Sequence, residues 1–212
     1  MTKVHPNATE EAITQGGVSS CVRTESTTLT VWKKSLLFNC NGFTVFDSKG
    51  NLLFRVDNYA SDHKGELLLM DASGHPLLTL RRKRLSLGEQ WQVFEGELAS
   101  AGGSPTRPPK FTVRKQGALR GSRVIAHVFS RSSKSALYEI QGSYSKRCCA
   151  VYDDKRRKMA EIKRKEAAAG GVAFGSDVFR LIVLPEMDMA DAMALVLLLD
   201  QMFSSRWSSY NA

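Results

Sequence analysis

Between residues 27 and 184 the chain is a succession of short apolar runs, each bounded by Gly, Asp, Asn, Ser, Pro or charged residues. Twelve runs have strand character: TLTVWKK, GFTVFD, NLLFRV, ELLLMD, PLLTLRR, WQVFEG, KFTVRK, RVIAHVF, ALYEIQG, CCAVYDD, KMAEIKRK and VFRLIVL. They are rich in β-branched and aromatic side chains, which suit a pleated, half-buried surface. A dozen strands with few helical patterns predict a single, mainly β domain, a sandwich or a barrel.

One strand pair recurs. FTVFDSKGNLLFRV (43–56) and LLLMDASGHPLLTL (67–80) align without gaps. Asp47 and Asp71 open the turns and Gly50 and Gly74 close them, as in a type I turn followed by a left-handed glycine in a bulge. Glycine suits that place because a Cβ clashes there. CAVYDDKRRKMAEI (149–162) is a weaker copy that lacks the glycine. The repeat therefore reads as a hairpin meander, not a solenoid.

The end of the chain breaks this pattern. Leu, Met and Ala dominate residues 187–203, and eight apolar residues run from Ala192 to Leu199. A helix is predicted over about 187–204, capped by Asp188, with Asp191 in the first turn where the helix dipole favours acids. At about 100° per residue this run is apolar on every side, so the helix is either enclosed by its own protein or immersed in lipid. From Met189 to Phe203 it spans about 22 Å, too short for a bilayer core of about 30 Å. Asp191 and Asp200 also oppose insertion. Enclosure is favoured, and the strands are the available wrapper. The pattern predicts a β-barrel threaded by its own C-terminal helix, with closure removing exposed edges. The stretches ASAGGSPTRPP (99–109) and EAAAGGVAFGSD (166–177) are loops, and the second lacks the spacing of a dinucleotide-binding turn. The expected layout is a mobile tail over 1–21, a barrel over 22–205 and a second tail over 206–212.

The segment GSDVFRLIVLPEMDMADAMALVLLLDQM is similar to the C-terminal signature of the plant LURP-one-related family. In that signature a G-x-D strand runs into a P-x-x-D turn and an apolar helix ending in L-D. Gly175, Asp177, Pro185, Asp188, Leu199 and Asp200 match it, and the two glycine-closed hairpins resemble the family's paired hairpins. The likeness runs from about residue 22 to 204. It implies a tubby-like fold, a 12-stranded barrel around a central C-terminal helix, and kinship with the tubby C-terminal domain and phospholipid scramblases. It also implies a link to defence against pathogens and, through relatives, to phosphoinositides at the plasma membrane.

Charge adds what periodicity leaves open. The hydrophobic share of 42% and charged share of 24% are ordinary, but the net charge is +9. Such a balance favours an anionic partner, a membrane surface or nucleic acid. The cations gather in three runs: Arg81, Arg82, Lys83 and Arg84 at the end of a repeat strand; Lys155, Arg156, Arg157 and Lys158 in the turn of the weak repeat; and Lys163, Arg164 and Lys165 after it. From Lys146 to Lys165, nine Lys and Arg oppose Asp153, Asp154 and Glu161, a net of +6. Clusters of basic residues dock on anionic headgroups at about 1 kcal/mol each, so these runs are the candidate lipid-binding residues. The competing reading is a solvated rim that protects strand ends. Nucleic acid attracts the same side chains, but zinc-finger spacing, a basic heptad helix and RNA-recognition aromatics are all missing.

Catalysis finds little footing. His5, His63, His75 and His127 are scattered, and no Ser, Cys, Asp and His set has a triad context. Cys21, Cys40, Cys148 and Cys149 lack metal-ligand spacing and are too few for a disulfide framework, so reduced thiols are expected. The adjacent pair points to opposite faces of a strand. Lys146 and Arg147 beside it could lower a thiol pKa, although a structural pair is the preferred reading. Glu186, Asp188 and Asp191 fit helix capping better than a calcium loop. The N-terminus has no apolar h-region, so no secretory signal is expected, and neither end carries a lipidation motif. The expected protein is non-enzymatic, monomeric, and without cofactor or metal. It is cytoplasmic or peripheral at the plasma membrane, binds phosphoinositide-type headgroups and acts in plant defence signalling. The alternatives are a phospholipid scramblase-like membrane protein and a membrane-tethered transcriptional or scaffold regulator. Protein partners are left open, and nucleic acid is not expected.

Overall fold

The computed structural model describes residues 25–37, 41–58, 65–83, 86, 88–98, 107–117, 122–133, 135–166 and 175–204. The expected tails over 1–21 and 206–212, and most of the loops 99–109 and 166–177, lie outside these residues. In chain order the elements are β1 (Thr27–Trp32), β2 (Asn41–Phe46), β3 (Leu52–Asn58), β4 (Glu66–Asp71), β5 (Pro76–Arg82), β6 (Gln90–Glu95), β7 (Phe111–Lys115), β8 (Val124–Ser130), β9 (Ala136–Ser143), β10 (Cys148–Asp153), β11 (Lys158–Arg164), β12 (Val178–Val183) and α1 (Met189–Phe203). Each run singled out by pattern is a strand, with its ends within two residues of expectation.

Every strand pairs antiparallel with its neighbour in sequence, and β1 closes the ring on β12, from Thr27 opposite Val183 to Trp32 opposite Val178. The sheet is therefore a closed barrel, not a sandwich. An even number of alternating strands closes with antiparallel pairs throughout, and no unpaired edge is left to template aggregation. Odd strands run from the end where α1 begins to the end where it finishes, and even strands return. The first is the entry end of the barrel and the second its exit end.

Alternation then fills the interior. Leu29 and Val31 of β1, Leu78 and Leu80 of β5, and Leu181 and Val183 of β12 all point inward and are buried. Against them lies α1, in which every residue from Ala192 to Leu199 is buried. Each enclosed Leu, Val or Met side chain contributes on the order of 1.5–3 kcal/mol, so a helix apolar all round is most stable with wall on all sides. At its start Asp188 accepts the Asp191 N–H at 3.0 Å. Its last turn contains no basic residue. Two lysines from the wall complement that end instead: Lys33 Nζ donates to Asp200 Oδ1 at 2.8 Å and to Ser204 Oγ at 3.2 Å, and Lys115 Nζ donates to the Met202 carbonyl. Cations near a helix C-terminus are stabilising because the orphaned carbonyls there carry partial negative charge.

The three repeat hairpins prove equivalent, including the one without glycine. In the β2–β3 turn, Asp47 Oδ1 accepts the Lys49 and Asn51 N–H groups, each at 2.8 Å. In the β4–β5 turn, Asp71 Oδ1 accepts the His75 N–H at 2.8 Å. In the β10–β11 turn, Asp153 Oδ1 accepts the Lys155 and Arg157 N–H groups at 3.0 and 2.7 Å. All three pairings shift register at the same place, between Val45 and Phe46, Leu69 and Met70, and Val151 and Tyr152. Gly50 and Gly74 have φ of 86° and 90°, and Arg156 occupies the corresponding position at 62°. An L-residue there costs about 1–2 kcal/mol relative to glycine, partly offset by the greater freedom of glycine in the unfolded chain. Arg156→Gly is accordingly expected to stabilise the protein by about 0.5–1 kcal/mol. Urea unfolding with an unchanged slope checks this, and a lower midpoint would contradict the turn assignment.

Candidate functional site

The barrel separates the basic runs. Arg81, Arg82 and Lys83 come at the end of β5, at the exit end, and Arg84 lies outside the described residues. Lys155, Arg156, Arg157 and Lys158 turn from β10 into β11 at the entry end, whereas Lys163, Arg164 and Lys165 come at the end of β11, at the exit end. The two ends of that seven-residue strand lie about 20 Å apart, but Lys158 and Lys163 both reach Glu161 from either side, at 3.1 and 3.2 Å. β5 and β11 stand six strands apart in a ring of twelve, on opposite sides of the wall. The β5 run therefore forms no single patch with the two on β11.

Ion pairing divides them further. Arg156 reaches Glu139 at 3.0 Å, Arg157 Nε donates to Asp153 Oδ2 at 2.7 Å, and Lys158 reaches Glu161 at 3.1 Å. Burial alone would raise the Asp153 carboxyl. The Arg157 backbone N–H and guanidinium, with the Lys155 N–H, outweigh it and hold that carboxyl below its ordinary range. The entry-end run is thus largely committed to nearby acids. Arg81 is committed as well, because Nε and Nη2 both contact Glu66 Oε2, at 2.8 and 2.7 Å. Arg147, counted in the +6 segment, is buried. Its guanidinium stacks over Tyr144 and Phe179, 4.2 and 4.3 Å from the ring centroids, and Nε donates to the Ser176 carbonyl at 2.9 Å.

One cluster remains poorly compensated. On the outer wall Lys163 of β11 sits directly opposite Arg180 of β12, and both are exposed. Like charges directly opposed across strands destabilise a sheet. Lys163 contacts Glu161 at 3.2 Å, but that carboxylate also serves Lys158. Beside them, Arg164 Nε donates to the Lys146 carbonyl at 3.1 Å, bringing the β9–β10 turn alongside β11. Arg180 belongs to no basic run, standing alone in VFRLIV. The strand period could have found it, since it is the one polar residue on the outward set of that strand.

Other chemistry stays apart. Cys148 is exposed and Cys149 buried, on opposite faces as the strand period requires, while Cys21 and Cys40 lie outside the described residues. Burial, with Cys148 adjacent, pushes the Cys149 thiol up to about 12, against the pull of Arg147. Arg147 thus does not activate this thiol. Because the folded value exceeds the ordinary 9.0, the stabilisation is complete below pH 9.0 and is lost as pH rises towards about 12. Near neutral pH, iodoacetamide is expected to label Cys148 and spare Cys149 in the native protein. Equal labelling, read by mass spectrometry, would contradict this packing.

His75 contacts Asp71 within its own turn at 3.3 Å, and His127 lies on β8 opposite Arg114 and Glu139; His5 and His63 are outside the described residues. Asp191 meets Lys110 at 2.7 Å beside a recess of about 170 Å³ at the entry end, below the roughly 300–1,000 Å³ of ordinary small-molecule sites. Among the described residues no group of three His, Cys, Asp or Glu could hold a metal ion, and no helix is long and apolar enough to cross a membrane.

The sequence profile of the LURP-one-related family matches residues 27–200. The chain is 50% identical to Protein LURP-one-related 8 of Arabidopsis thaliana over 211 residues, 97% of this chain and 100% of that one. It is 43% identical to Protein LURP-one-related 17 of the same plant, covering 94% of this chain and 92% of that one. An X-ray structure of an Arabidopsis thaliana protein superposes with a TM-score of 0.60 at 26% identity, covering 84% of this chain and 91% of that one.

Proposed function

Since the chain belongs to the LURP-one-related family and its interior is filled by its own helix, we propose that it works from its outer surface. There it docks on anionic lipid headgroups of the phosphoinositide type, without catalysis. The supporting observation is the opposed pair Lys163 and Arg180. A sheet that places two exposed cations side by side loses stability unless anions compensate both; Glu161 reaches Lys163 but is shared with Lys158, and a lipid phosphate supplies the further charge.

The scramblase-like alternative needs α1 in the bilayer, but that helix is 15 residues long and buried from Ala192 to Asp200 inside the barrel. A role in plant defence signalling is compatible with headgroup docking and rests on the family resemblance. A tethered regulator would use the same docking surface, with a protein partner elsewhere.

Flotation with phosphatidylcholine vesicles, with and without phosphatidylinositol bisphosphate, tests the proposal. Binding is expected at low salt only with the anionic lipid, and weaker at higher salt as screening grows. Lys163→Ala with Arg180→Ala should weaken it about 30-fold, at about 1 kcal/mol per cation. Arg156→Ala with Arg157→Ala should change it much less, because both cations already face acids. Absence of binding at low salt would sink the proposal.

A further inference from the structure

Trp32 and Leu36 are exposed by 39% and 51%, and both flank the same turn after β1 at the exit end. Trp32 points outward from the wall, because Leu29 and Val31 occupy the inward positions of β1. Thr30 of β1 lies opposite Arg180, and Trp32 lies opposite Val178, two residues along on each strand. That register makes Arg180 a diagonal neighbour of Trp32, within reach of long side chains. Lys163 continues the row on the far side of Arg180. Lys34 Nζ stands 5.1 Å from the Trp32 ring centroid, a cation–π contact that leaves this charge beside the indole. Trp32 and three cations thus lie along the exit end where the barrel closes, and Leu36 is carried by the turn that follows Trp32.

The turn is pinned so that Leu36 faces water. Lys33 is held by Asp200, and its N–H donates to the Asp177 carbonyl at 2.7 Å. Ser35 is buried and its Oγ donates to Asp57 Oδ1 at 2.5 Å, with Asp57 also 2.9 Å from Arg55. The Leu37 N–H donates back to Ser35 Oγ at 3.0 Å. With Ser35 committed inward and both backbone flanks tied, Leu36 projects from a preorganised turn. Scattered surface apolar residues need no explanation. Here two of the three exposed large apolar residues among those described share one turn, and one of them, Trp32, is the diagonal neighbour of Arg180.

We infer that the turn carrying Trp32 and Leu36 is a membrane-inserting tip, which enters the headgroup layer of an anionic bilayer while Lys34, Lys163 and Arg180 contact lipid phosphates around it. The mixture commits the surface to a bilayer rather than to a soluble anion. A phosphate alone satisfies the cations but leaves the leucine in water, whereas the bilayer interface takes a Trp ring at headgroup level, an apolar side chain just beneath it and cations at its surface. The barrel then stands on the exit end of its β11–β12–β1 wall. This inference rests on the lipid-docking reading and goes beyond it by fixing which face meets the membrane and that the face is inserted.

The experiment uses the full chain with vesicles of phosphatidylcholine and phosphatidylinositol bisphosphate, prepared with ordinary or brominated phosphatidylcholine. Bromine quenches tryptophan at the acyl-chain boundary. Wild-type fluorescence should fall on the brominated vesicles, and Trp32→Phe should remove that part of the quenching while still binding. Leu36→Asp should weaken partitioning about 10- to 100-fold, the order expected for withdrawing one large apolar side chain, with its thermal unfolding midpoint unchanged. Should Leu36→Asp fold poorly, Leu36→Ala gives the same comparison with a smaller loss. If wild type binds and the Lys163/Arg180 substitutions weaken it, but Leu36→Asp binds normally and bromine does not quench Trp32, the inserted tip is overturned while headgroup docking stands. If no vesicle is bound, both readings fall.

Discussion

Leu198→Ala is expected to lower the unfolding free energy by about 3–5 kcal/mol, the upper part of the range for such truncations. Leu198 is fully buried in the middle of α1, with Leu195, Leu197 and Leu199 around it. The cost of a cavity depends on how far its surroundings collapse into it. Here the surroundings are a ring of twelve strands, each hydrogen-bonded on both sides. Such a wall cannot contract at one point without breaking its ladder, so the cavity persists and its lining loses contacts outright. Urea unfolding should show a lower midpoint with an unchanged slope. Leu36→Ala, on the exposed turn, should stay within about 0.5 kcal/mol. The contrast also tests where the helix resides: were α1 seated in lipid rather than in the barrel, Leu198→Ala would leave the stability of the barrel in solution unchanged.

Asp200→Ala is the second large loss, about 2–4 kcal/mol, somewhat below the usual cost of orphaning a buried charge because Lys33 keeps some access to water. Asp200 is buried, and its Oδ1 receives three donors: Lys33 Nζ at 2.8 Å, Tyr144 OH at 3.1 Å and Ser204 Oγ at 2.7 Å. Those donors come from β1, from the β9–β10 turn and from the residue after α1. One carboxylate therefore fastens the end of the helix to two parts of the wall, and alanine removes the shared acceptor of all three donors, of which Tyr144 is buried. Tyr144 is affected from the other direction. Its burial and the nearby Asp200 charge raise its hydroxyl well above the ordinary value, against the pull of Arg147. Adding Lys33→Met to an Asp200→Leu variant should recover part of the loss, since an unpaired cation is then no longer left at the barrel mouth. A double variant as unstable as the sum of the two singles would show that Lys33 and Asp200 are not coupled.

Asp200 also shows how a sequence motif and its physical reason can be separated. The L-D pair ending the helix was visible as part of a family signature, but not what the aspartate touches. Its donors come from residues 33, 144 and 204, and only the closed barrel brings these together. Arg156 is the opposite case. Its position was visible from the alignment with Gly50 and Gly74, and the missing glycine suggested a weaker copy. The turn forms nonetheless, because Asp153 supplies the same backbone hydrogen bonds as Asp47 and the left-handed position tolerates arginine at a cost below the gain from the hairpin.

The candidate surface was legible only in part. Runs such as Lys155 to Lys158 and Lys163 to Lys165 are conspicuous in sequence, and adjacency made them look like one patch. Strand geometry starts them from opposite ends of β11, Glu139 and Asp153 compensate much of the first, and Glu161 is shared between Lys158 and Lys163. The better-placed cation, Arg180, belongs to no run, and nothing local distinguishes Trp32 from an aromatic that serves ordinary strand packing.

What the sequence determined by itself is the set of elements. Alternation, turn chemistry and an all-round apolar helix are local properties, set by φ/ψ sterics and by the periods of side-chain direction, so twelve strands and an enclosed helix could be read without coordinates. What only the tertiary structure decided is company: which charges meet acids, and which residues share a face. Closure of β1 on β12 brings Trp32, near the start of the barrel, beside Arg180, near its end. The physical reason is that a hydrogen-bonded ring has no end, so its first and last strands become neighbours, and interactions falling off within a few ångströms depend on that neighbourhood rather than on distance along the chain.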